Sequence, residues 1–202
     1  MAKKLIDLTQ KMDEVFPEWM FEEKQEIKQS ATIEKEGYNE KRISITTHFA
    51  THIDAPFHMI RDGKKLHEYP LETFTGSAIV IPLKNFEKYL NKIKKNDIVL
   101  IYTGQGKKFY NQDYYASSPV VSESIAKELV KRKVKIVGID AFSPDKSPWN
   151  VHKILFEKSI LIIENMLIPS KLIGKRFECS AYTTPVGRFD EDGAPCRVIA
   201  KV

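Results

Sequence analysis

Three of the five histidines in this chain lie within eleven residues, at His48, His52 and His58, and Asp54 stands among them. Residues 43–47 before them are mostly β-branched and favour an extended chain, whose side chains alternate between two faces. His48, His52 and Asp54 share parity, so a strand that continues through them presents all three on one face. The segment therefore predicts a strand with a polar, functional face.

The other face and the end of this strand can be predicted as well. Phe49 and Ile53 point away from the polar face and can anchor the segment in a hydrophobic core. Pro56 removes a backbone donor and ends the regular ladder. We therefore expect His58 on a turn just beyond the strand, above the same site.

The residue types of this cluster predict a metal site, since imidazole and carboxylate groups are ligands that zinc, manganese and iron accept. One alternative is a set of polar residues on an exposed strand face, but without a metal each of them would need its own hydrogen-bond partners. A helix like that of His-Glu-x-x-His metalloproteases is another alternative, because His48 and His52 are four residues apart. Phe49 occupies the glutamate position of that motif and Pro56 disfavours a helix, so we prefer the strand.

The segment resembles His-x-Gly-Thr-His-x-Asp-x-Pro-x-His, the signature of the cyclase family of metal-dependent hydrolases, which includes bacterial kynurenine formamidase and isatin hydrolase. Ala50 stands where the signature has glycine, which suggests a different approach of the backbone to the site. Residues 138–145 resemble the family's Gly-x-Asp-x-x-Ser-x-Asp element, and residues 192–197 resemble its closing Asp-Gly-x-Pro-x-Arg element. The three motifs follow the family order over most of the chain.

The resemblance implies two divalent metal ions per chain, with zinc as the first expectation and manganese as the alternative. It implies five ligands: His48, His52, Asp54, His152 and Glu164. The first three would hold one ion. Asp54 would bridge to a second ion, which His152 and Glu164 would complete.

The resemblance also implies roles for two residues outside the ligand set. His58 matches the general acid/base of the formamidase branch, and Trp19 corresponds to an early tryptophan that lines the substrate pocket. The implied fold is a single sheet-rich, swivelling-type α/β domain over residues 1–202. The implied assembly is a homo-oligomer, either a dimer or a tetramer.

From the residues alone, a capped helix and a buried strand lead to a polar segment in the second half of the chain. Ser122 can cap a helix that ends near Arg132, and the apolar run 134–139 reads as a strand ending at Asp140. We expect Asp140 to accept a hydrogen bond from a ligating histidine. Ser143 and Asp145 are turn formers, and a turn role suits them at least as well as a functional one.

The local sequence also predicts the elements on which the two ligands of the second implied ion lie. His152 begins a short helical stretch, and residues 159–163 form a strongly apolar strand that delivers Glu164 at its end. A carboxylate that closes a buried strand is costly unless it is paired or bound to a metal. Without the resemblance, Glu157 and Glu164 would rank about equally as candidates for this carboxylate.

Composition limits the class of protein. Ile/Val-rich strands such as 78–82 and 97–102 alternate with helical stretches, which favours α/β or α+β architecture. The net charge is +5, but the lysines are scattered and only six of thirty-two basic residues are arginine, which argues against a nucleic-acid partner. The sequence shows neither a signal-peptide core nor a membrane-length apolar run, so we expect a cytoplasmic protein that binds no membrane. Cys179 and Cys196 are expected to be free thiols.

The chain is therefore predicted to be a metal-dependent hydrolase that opens a linear or cyclic amide, with N-formylkynurenine as the leading substrate. A divalent ion lowers the pKa of water to about 7, so hydroxide can attack the carbonyl carbon while His58 passes a proton to the departing amine. One alternative is a relative that acts on another cyclic amide, a lactone or a carbamoyl compound. Others are an inactive protein that retains the metal site and, with least support, a basic nucleic-acid-binding module.

Overall fold

The computed structural model describes residues 4–12, 25–184 and 191–202, so Trp19 lies outside the described residues. The strands there are β1 (Leu5–Asp7), β2 (Glu26–Ala31), β3 (Glu40–Ser44), β4 (His52–Asp54), β5 (Thr75–Pro82), β6 (Ile98–Tyr102), β7 (Ile136–Ile139), β8 (Leu161–Glu164), β9 (Arg176–Thr183) and β10 (Gly193–Lys201). The α-helices are α1 (Ile33–Glu36), α2 (Glu123–Lys131) and α3 (Asn150–Phe156). Short 3-10 turns span Pro56–His58, Leu66–Glu68, Leu71–Phe74, Phe86–Lys92, Gln105–Lys108 and Ser170–Leu172.

Seven strands close into a barrel-like sheet because β10 pairs along both of its edges. On one edge β10 runs antiparallel to β9, and on the other it pairs first with β4 and then with β1. The remaining strands follow in the order β4, β8, β7, β6, β5 and β9, which completes the ring. Strands β2 and β3 form a separate two-stranded sheet.

The parallel part of the sheet, β5 to β8, is buried on both faces. Alternate residues such as Val80, Leu100 and Ile163 belong to one hydrophobic core, which also contains side chains of β9 and β10. Their neighbours, including Ile101 and Ile162, pack in a second core with α2 and α3. Helices α2 and α3 cover one face and the closed interior of the barrel covers the other, which explains why both faces are apolar. The predicted mixed α/β class is confirmed.

Local elements match the sequence closely in this region. The Ser122 hydroxyl accepts a hydrogen bond from the backbone N–H of Ile125 at 3.3 Å, so it caps α2 as predicted. Cys179 and Cys196 are buried free thiols, which confirms that prediction. None of the helices in the described ranges has the length and hydropathy that a membrane crossing requires.

An ion pair with a buried carboxylate ties β9 to the start of β6. Asp97 is 2% exposed, and the Arg176 guanidinium donates two hydrogen bonds to its carboxylate, at 2.5 and 2.9 Å. The same carboxylate accepts the backbone N–H of Lys94 at 2.7 Å. A second bidentate pair, between Arg197 and Asp7, is largely exposed.

These two ion pairs offer a matched test of fold stability. We expect Asp97→Ala to lower the free energy of unfolding by about 2–3 kcal/mol, because it removes a buried charge-assisted network. The melting temperature should then fall by roughly 4–12 °C. Asp7→Ala, the exposed control, should cost less than about 1 kcal/mol. Equal losses in the two variants, measured by calorimetry, would contradict this ranking.

Candidate metal centre

Strands β4 and β8 bring the central carboxylates and one imidazole together. They run antiparallel, with His52 opposite Glu164. Helix α3 places His152 beside the end of β8, where its Nε2 lies 3.2 Å from Glu164 Oε1. His52, Asp54, His152 and Glu164 are all buried. The structure therefore places four of the five expected ligands in the interior, at the ends of regular elements.

His48 reaches the same point by a route that the sequence did not predict. The expected strand through His48 is wrong: β3 ends at Ser44, residues 47–48 form a turn, and β4 begins only at His52. Between them Ala50 has a φ of 51°, in the left-handed region, which costs an L-residue roughly 1–2 kcal/mol. The bend returns the His48 ring to Asp54. The position where the signature has glycine thus keeps a backbone that glycine favours.

Phe49 and Ile53 are completely buried, so their predicted role as anchors of this segment is confirmed. Phe49 packs in a small core with Ala50, Phe109 and Tyr114. This packing lies beside the left-handed residue and holds the turn in place. Hydrophobic burial therefore stabilises a backbone conformation that positions a polar side chain.

The ligating atoms form two groups that share Asp54. In the first, Asp54 Oδ1 lies 2.7 Å from His48 Nδ1 and 3.2 Å from His52 Nε2. The second contains Asp54, His152 and Glu164. In each group the candidate ligand atoms lie within 4.8 Å of one another. Each group could hold one metal ion, with Asp54 common to both.

Two of the histidines are oriented by hydrogen bonds on the far side of the ring. His52 Nδ1 lies 2.8 Å from the carbonyl oxygen of Ala50, and His152 Nδ1 lies 2.5 Å from Asp145 Oδ1. If both Nδ1 atoms donate, both Nε2 atoms face the Asp54 and Glu164 carboxylates as bare lone pairs. Histidines that bind metals show this arrangement, in which the second nitrogen donates to an oxygen.

Two buried atoms at the centre lack hydrogen bonds. Within the described residues, neither His52 Nε2 nor Glu164 Oε1 makes a hydrogen bond of acceptable geometry. Leaving such atoms unsatisfied in the interior is costly and therefore uncommon. His52 Nε2 belongs to the first ligand group and Glu164 Oε1 to the second, so a cation in each group satisfies both atoms. Nitrogen with carboxylate oxygen is a ligand set that divalent transition metals accept. The donor set fits a divalent metal ion.

The electrostatics of the metal-free centre are those of imidazolium and carboxylate pairs. Burial disfavours the charged form of His48, but Asp54 and Asp192 outweigh it and raise the His48 pKa to about 9. Burial also disfavours charged His152, but Asp145 and Glu164 raise its pKa to about 10. Without a metal, both rings are therefore protonated at neutral pH.

His58 lies at the rim, on the 3-10 turn Pro56–His58, as the proline predicted. Its side chain is 29% exposed. The ring centroid lies 3.9 Å from that of His48, at an interplanar angle of 37°, and 6.4 Å from that of His152. His58 is thus close to both groups and open to solvent.

The two aspartates after β7, Asp140 and Asp145, have roles that differ from the predicted ones. Asp140 orients no histidine: it accepts backbone N–H groups of Thr103 and Gly104, at 2.5 and 3.0 Å. Asp145, which reads equally well as a turn residue, is the acceptor for His152. Residues 140–145 contain two aspartates, and the sequence does not show which of their carboxylates reaches the His152 ring.

Asp192 is the residue of the site that sequence reasoning missed. Its Oδ2 lies 2.8 Å from His48 Nε2, the nitrogen opposite the one that faces Asp54. Burial raises its pKa, but contacts with His48 and His58 outweigh this and hold the pKa well below its usual range. The available signal was its place at the head of the closing motif, which suggested no role.

Comparisons with known proteins agree with the motifs. The profile of a protein family described as "Putative cyclase" matches residues 6–146. A protein of Methanocaldococcus jannaschii described as uncharacterized is 33% identical over 166 residues, which cover 82% of this chain and 84% of that protein. The kynurenine formamidase of Geobacillus thermodenitrificans is 30% identical over 203 residues, covering 95% of this chain and 94% of the enzyme.

Solved structures show the same fold. One is described as a potential metal-dependent hydrolase with cyclase activity. It is 27% identical, covers 98% of each chain and has a TM-score of 0.79. An isatin hydrolase bound to the product analogue thioisatinate has a TM-score of 0.87 and covers 100% of this chain and 93% of the other. Its identity is 16%, so this second likeness concerns the fold alone.

The raised histidine pKa values predict how metal affinity depends on pH. A metal must displace the protons that His48 and His152 carry, so affinity should rise with pH until the pH exceeds about 9 and 10, their metal-free pKa values. From about pH 6 to about pH 8 we expect roughly tenfold per pH unit for each proton displaced. Titration calorimetry with Mn²⁺ in buffers of different ionisation enthalpy counts those protons. A pH-independent affinity would refute the expectation.

Asp145 provides a second test. Asp145→Asn removes the carboxylate that orients His152, so we expect metal affinity to fall by about 10–100-fold. Asp140→Asn is the matched control, because Asp140 contacts Thr103 and Gly104 rather than a ligand. Competition with a chelating dye measures both. An equal loss in the two variants would point to a general structural defect.

Proposed function

The chain belongs to the cyclase family of hydrolases, and we propose that it opens a linear or cyclic amide, with N-formylkynurenine as the leading substrate. The observation that carries the proposal is the pair of buried ligand groups sharing Asp54, each with one orphaned atom, His52 Nε2 in the first and Glu164 Oε1 in the second, beneath a rim that carries His58. The similarity to kynurenine formamidases supports the choice of an amide.

We assign the first metal position to His48, His52 and Asp54, and the second to Asp54, His152 and Glu164. Zinc is the proposed metal and manganese the alternative, because both accept mixed imidazole and carboxylate ligands. When bound, a divalent ion polarises a carbonyl oxygen and lowers the pKa of water to about 7. The ligand carboxylates are already ionised: the nearby His52 and His48 outweigh burial and hold the pKa of Asp54 well below its usual range.

His58 is the proposed general acid/base. Its Nδ1 is the nitrogen nearer Asp192, at 3.8 Å, which leaves Nε2 to exchange protons with the substrate. In amide hydrolysis a C–O bond forms between water oxygen and the carbonyl carbon, and the C–N bond breaks. One water proton must reach the departing nitrogen, and a partly exposed imidazole at the rim can carry it.

A second candidate is a protein that holds a metal without turnover. Its sequence hint was Ala50 in place of the signature glycine. Ala50 keeps the left-handed conformation that places His48 at the site, so this hint weakens. Assembly as a dimer or tetramer and a cytoplasmic location stay predictions.

Metal analysis and two variants test the proposal together. Protein purified without a histidine tag should contain about two metal equivalents by elemental mass spectrometry. His58→Ala should keep the metal and lose about 10²–10⁴-fold in kcat on N-formylkynurenine, with isatin as the cyclic amide probe. Asp54→Ala should lose both metal and turnover, since both groups contain Asp54.

Other outcomes would contradict parts of the proposal. Unchanged turnover in His58→Ala removes His58 from the mechanism. Bound metal without hydrolysis of either probe favours the inactive metal-holding protein. Failure to retain zinc or manganese after reconstitution excludes the hydrolytic mechanism altogether.

A further inference from the structure

Asp192 is pinned in place by the backbone on both sides of His58. The N–H of Ala55 donates to the carbonyl of Asp192 at 2.8 Å, and the N–H of Leu66 donates to the carbonyl of Glu191 at 3.1 Å. Ala55 precedes the turn that carries His58, and Leu66 follows it. The Asp192 carboxylate is therefore held at a set position relative to this turn.

A single oxygen of Asp192 faces two imidazoles. Its Oδ2 lies 2.8 Å from His48 Nε2 and 3.8 Å from His58 Nδ1, and the Thr47 hydroxyl lies 3.4 Å away. The two rings lie against each other at a tilt of 37°, with centroids 3.9 Å apart. One carboxylate thus spans a proposed metal ligand and the proposed acid/base. The contact between Asp192 Oδ2 and His58 Nδ1 becomes a hydrogen bond if the two atoms approach by less than about 1 Å. Catalytic contacts commonly shorten in this way when substrate binds.

The next residue shows how closely strand β10 approaches the site. A Cβ on Gly193 would lie 2.8 Å from His48 Cε1 and 3.2 Å from Asp54 Oδ1. Such contacts are too short for a side chain beside a fixed ring. Only glycine lets the strand carry Asp192 this close to His48.

His48, His58 and Asp192 could themselves be read as a third ligand group, since their donor atoms lie within 4.8 Å of one another. His48 decides against this reading. Its Nδ1 already faces Asp54, so a second ion on Nε2 would require the ring to lose both protons. With one ion on Nδ1, the Nε2 proton remains to be donated to a carboxylate, as in other metal-bound histidines.

We propose that Asp192 is a positioning residue for both histidines: it fixes the His48 ring toward Asp54 and holds His58 with Nδ1 protonated and Nε2 free for the substrate. The inference rests on the proposed function for its catalytic consequence. It goes further in coupling the ligand and the acid/base through one carboxylate, supplied by a strand that closes the barrel.

The kinetic test compares Asp192→Asn with Asp145→Asn at saturating zinc. Both variants remove a carboxylate from a proposed ligand histidine, but only Asp192 also faces His58. With N-formylkynurenine we expect Asp192→Asn to lower kcat by about 10–100-fold with little change in KM. Asp145→Asn should lose less kcat than Asp192→Asn at saturating zinc, because its carboxylate contacts His152 and not His58. Asp192→Ala, which also removes the amide, serves as a second variant if asparagine retains a hydrogen bond.

A double variant tests whether Asp192 acts through His58. If Asp192 acts through His58, Asp192→Asn combined with His58→Ala should be no slower than His58→Ala alone at equal zinc content. If the kcat losses of the two single variants multiply in the double variant, the proposed coupling to His58 is overturned. Full recovery of Asp192→Asn by excess zinc would also overturn it, since Asp192 would then act through His48 alone.

A spectroscopic readout needs no substrate. Long-range ¹H–¹⁵N correlation spectra of the zinc-loaded protein report which ring nitrogen of His58 carries the proton. We expect Nδ1–H in the wild type and loss of this preference in Asp192→Asn. An unchanged tautomer overturns the proposal about Asp192 even if the wild type hydrolyses amides. Absence of turnover with the expected tautomer change overturns the proposed substrate and leaves the positioning role standing.

Discussion

The pairing of strand β10 along both edges is the constraint on which the rest of the structure depends. One edge joins β9 and closes the barrel, while the other edge joins β4 and sets Gly193 opposite Asp54. The same pairing brings Asp192 to His48, although 144 residues separate them in sequence. Closure of the sheet and completion of the site therefore depend on the same strand pairing. A defect in this pairing should disturb both.

The buried charges explain why this site suits a divalent metal ion. Asp54 and Glu164 sit next to each other in the interior, and the charge of Asp54 works against ionisation of Glu164. Three imidazoles offset this repulsion when they are protonated, as His48 and His152 are at neutral pH. A divalent ion takes over the neutralising role and releases those protons. The buried carboxylates thus have positive counter-charges in either state.

Sequence predicted what depends on local chemistry and missed what depends on closure. The four parallel strands β5 to β8 and the helices α2 and α3 followed from apolar runs and a cap, because propensity and burial agree there. The strand through His48 failed because a left-handed Ala50 is set by packing of Phe49, which parity ignores. Asp145 and Asp140 have the same side chain, so only the folded structure shows which groups each carboxylate contacts. The residues next to Asp192 give no indication of its role, since its partner His48 lies 144 residues earlier in the sequence.

The acceptors behind the three histidines suggest how ligand geometry and catalysis are divided along the chain. His52 is held by the backbone carbonyl of Ala50, an acceptor that cannot be lost by substituting a side chain. His152 has Asp145 as its own carboxylate, so changes there should affect metal binding alone. His48 shares its acceptor with His58, so the residue that precedes β10 contacts both the proposed ligand and the proposed proton carrier. We therefore expect turnover to be more sensitive to the position of β10 than metal affinity is, because the 2.8 Å contact to His48 can lengthen slightly and remain a hydrogen bond, whereas the 3.8 Å contact to His58 cannot.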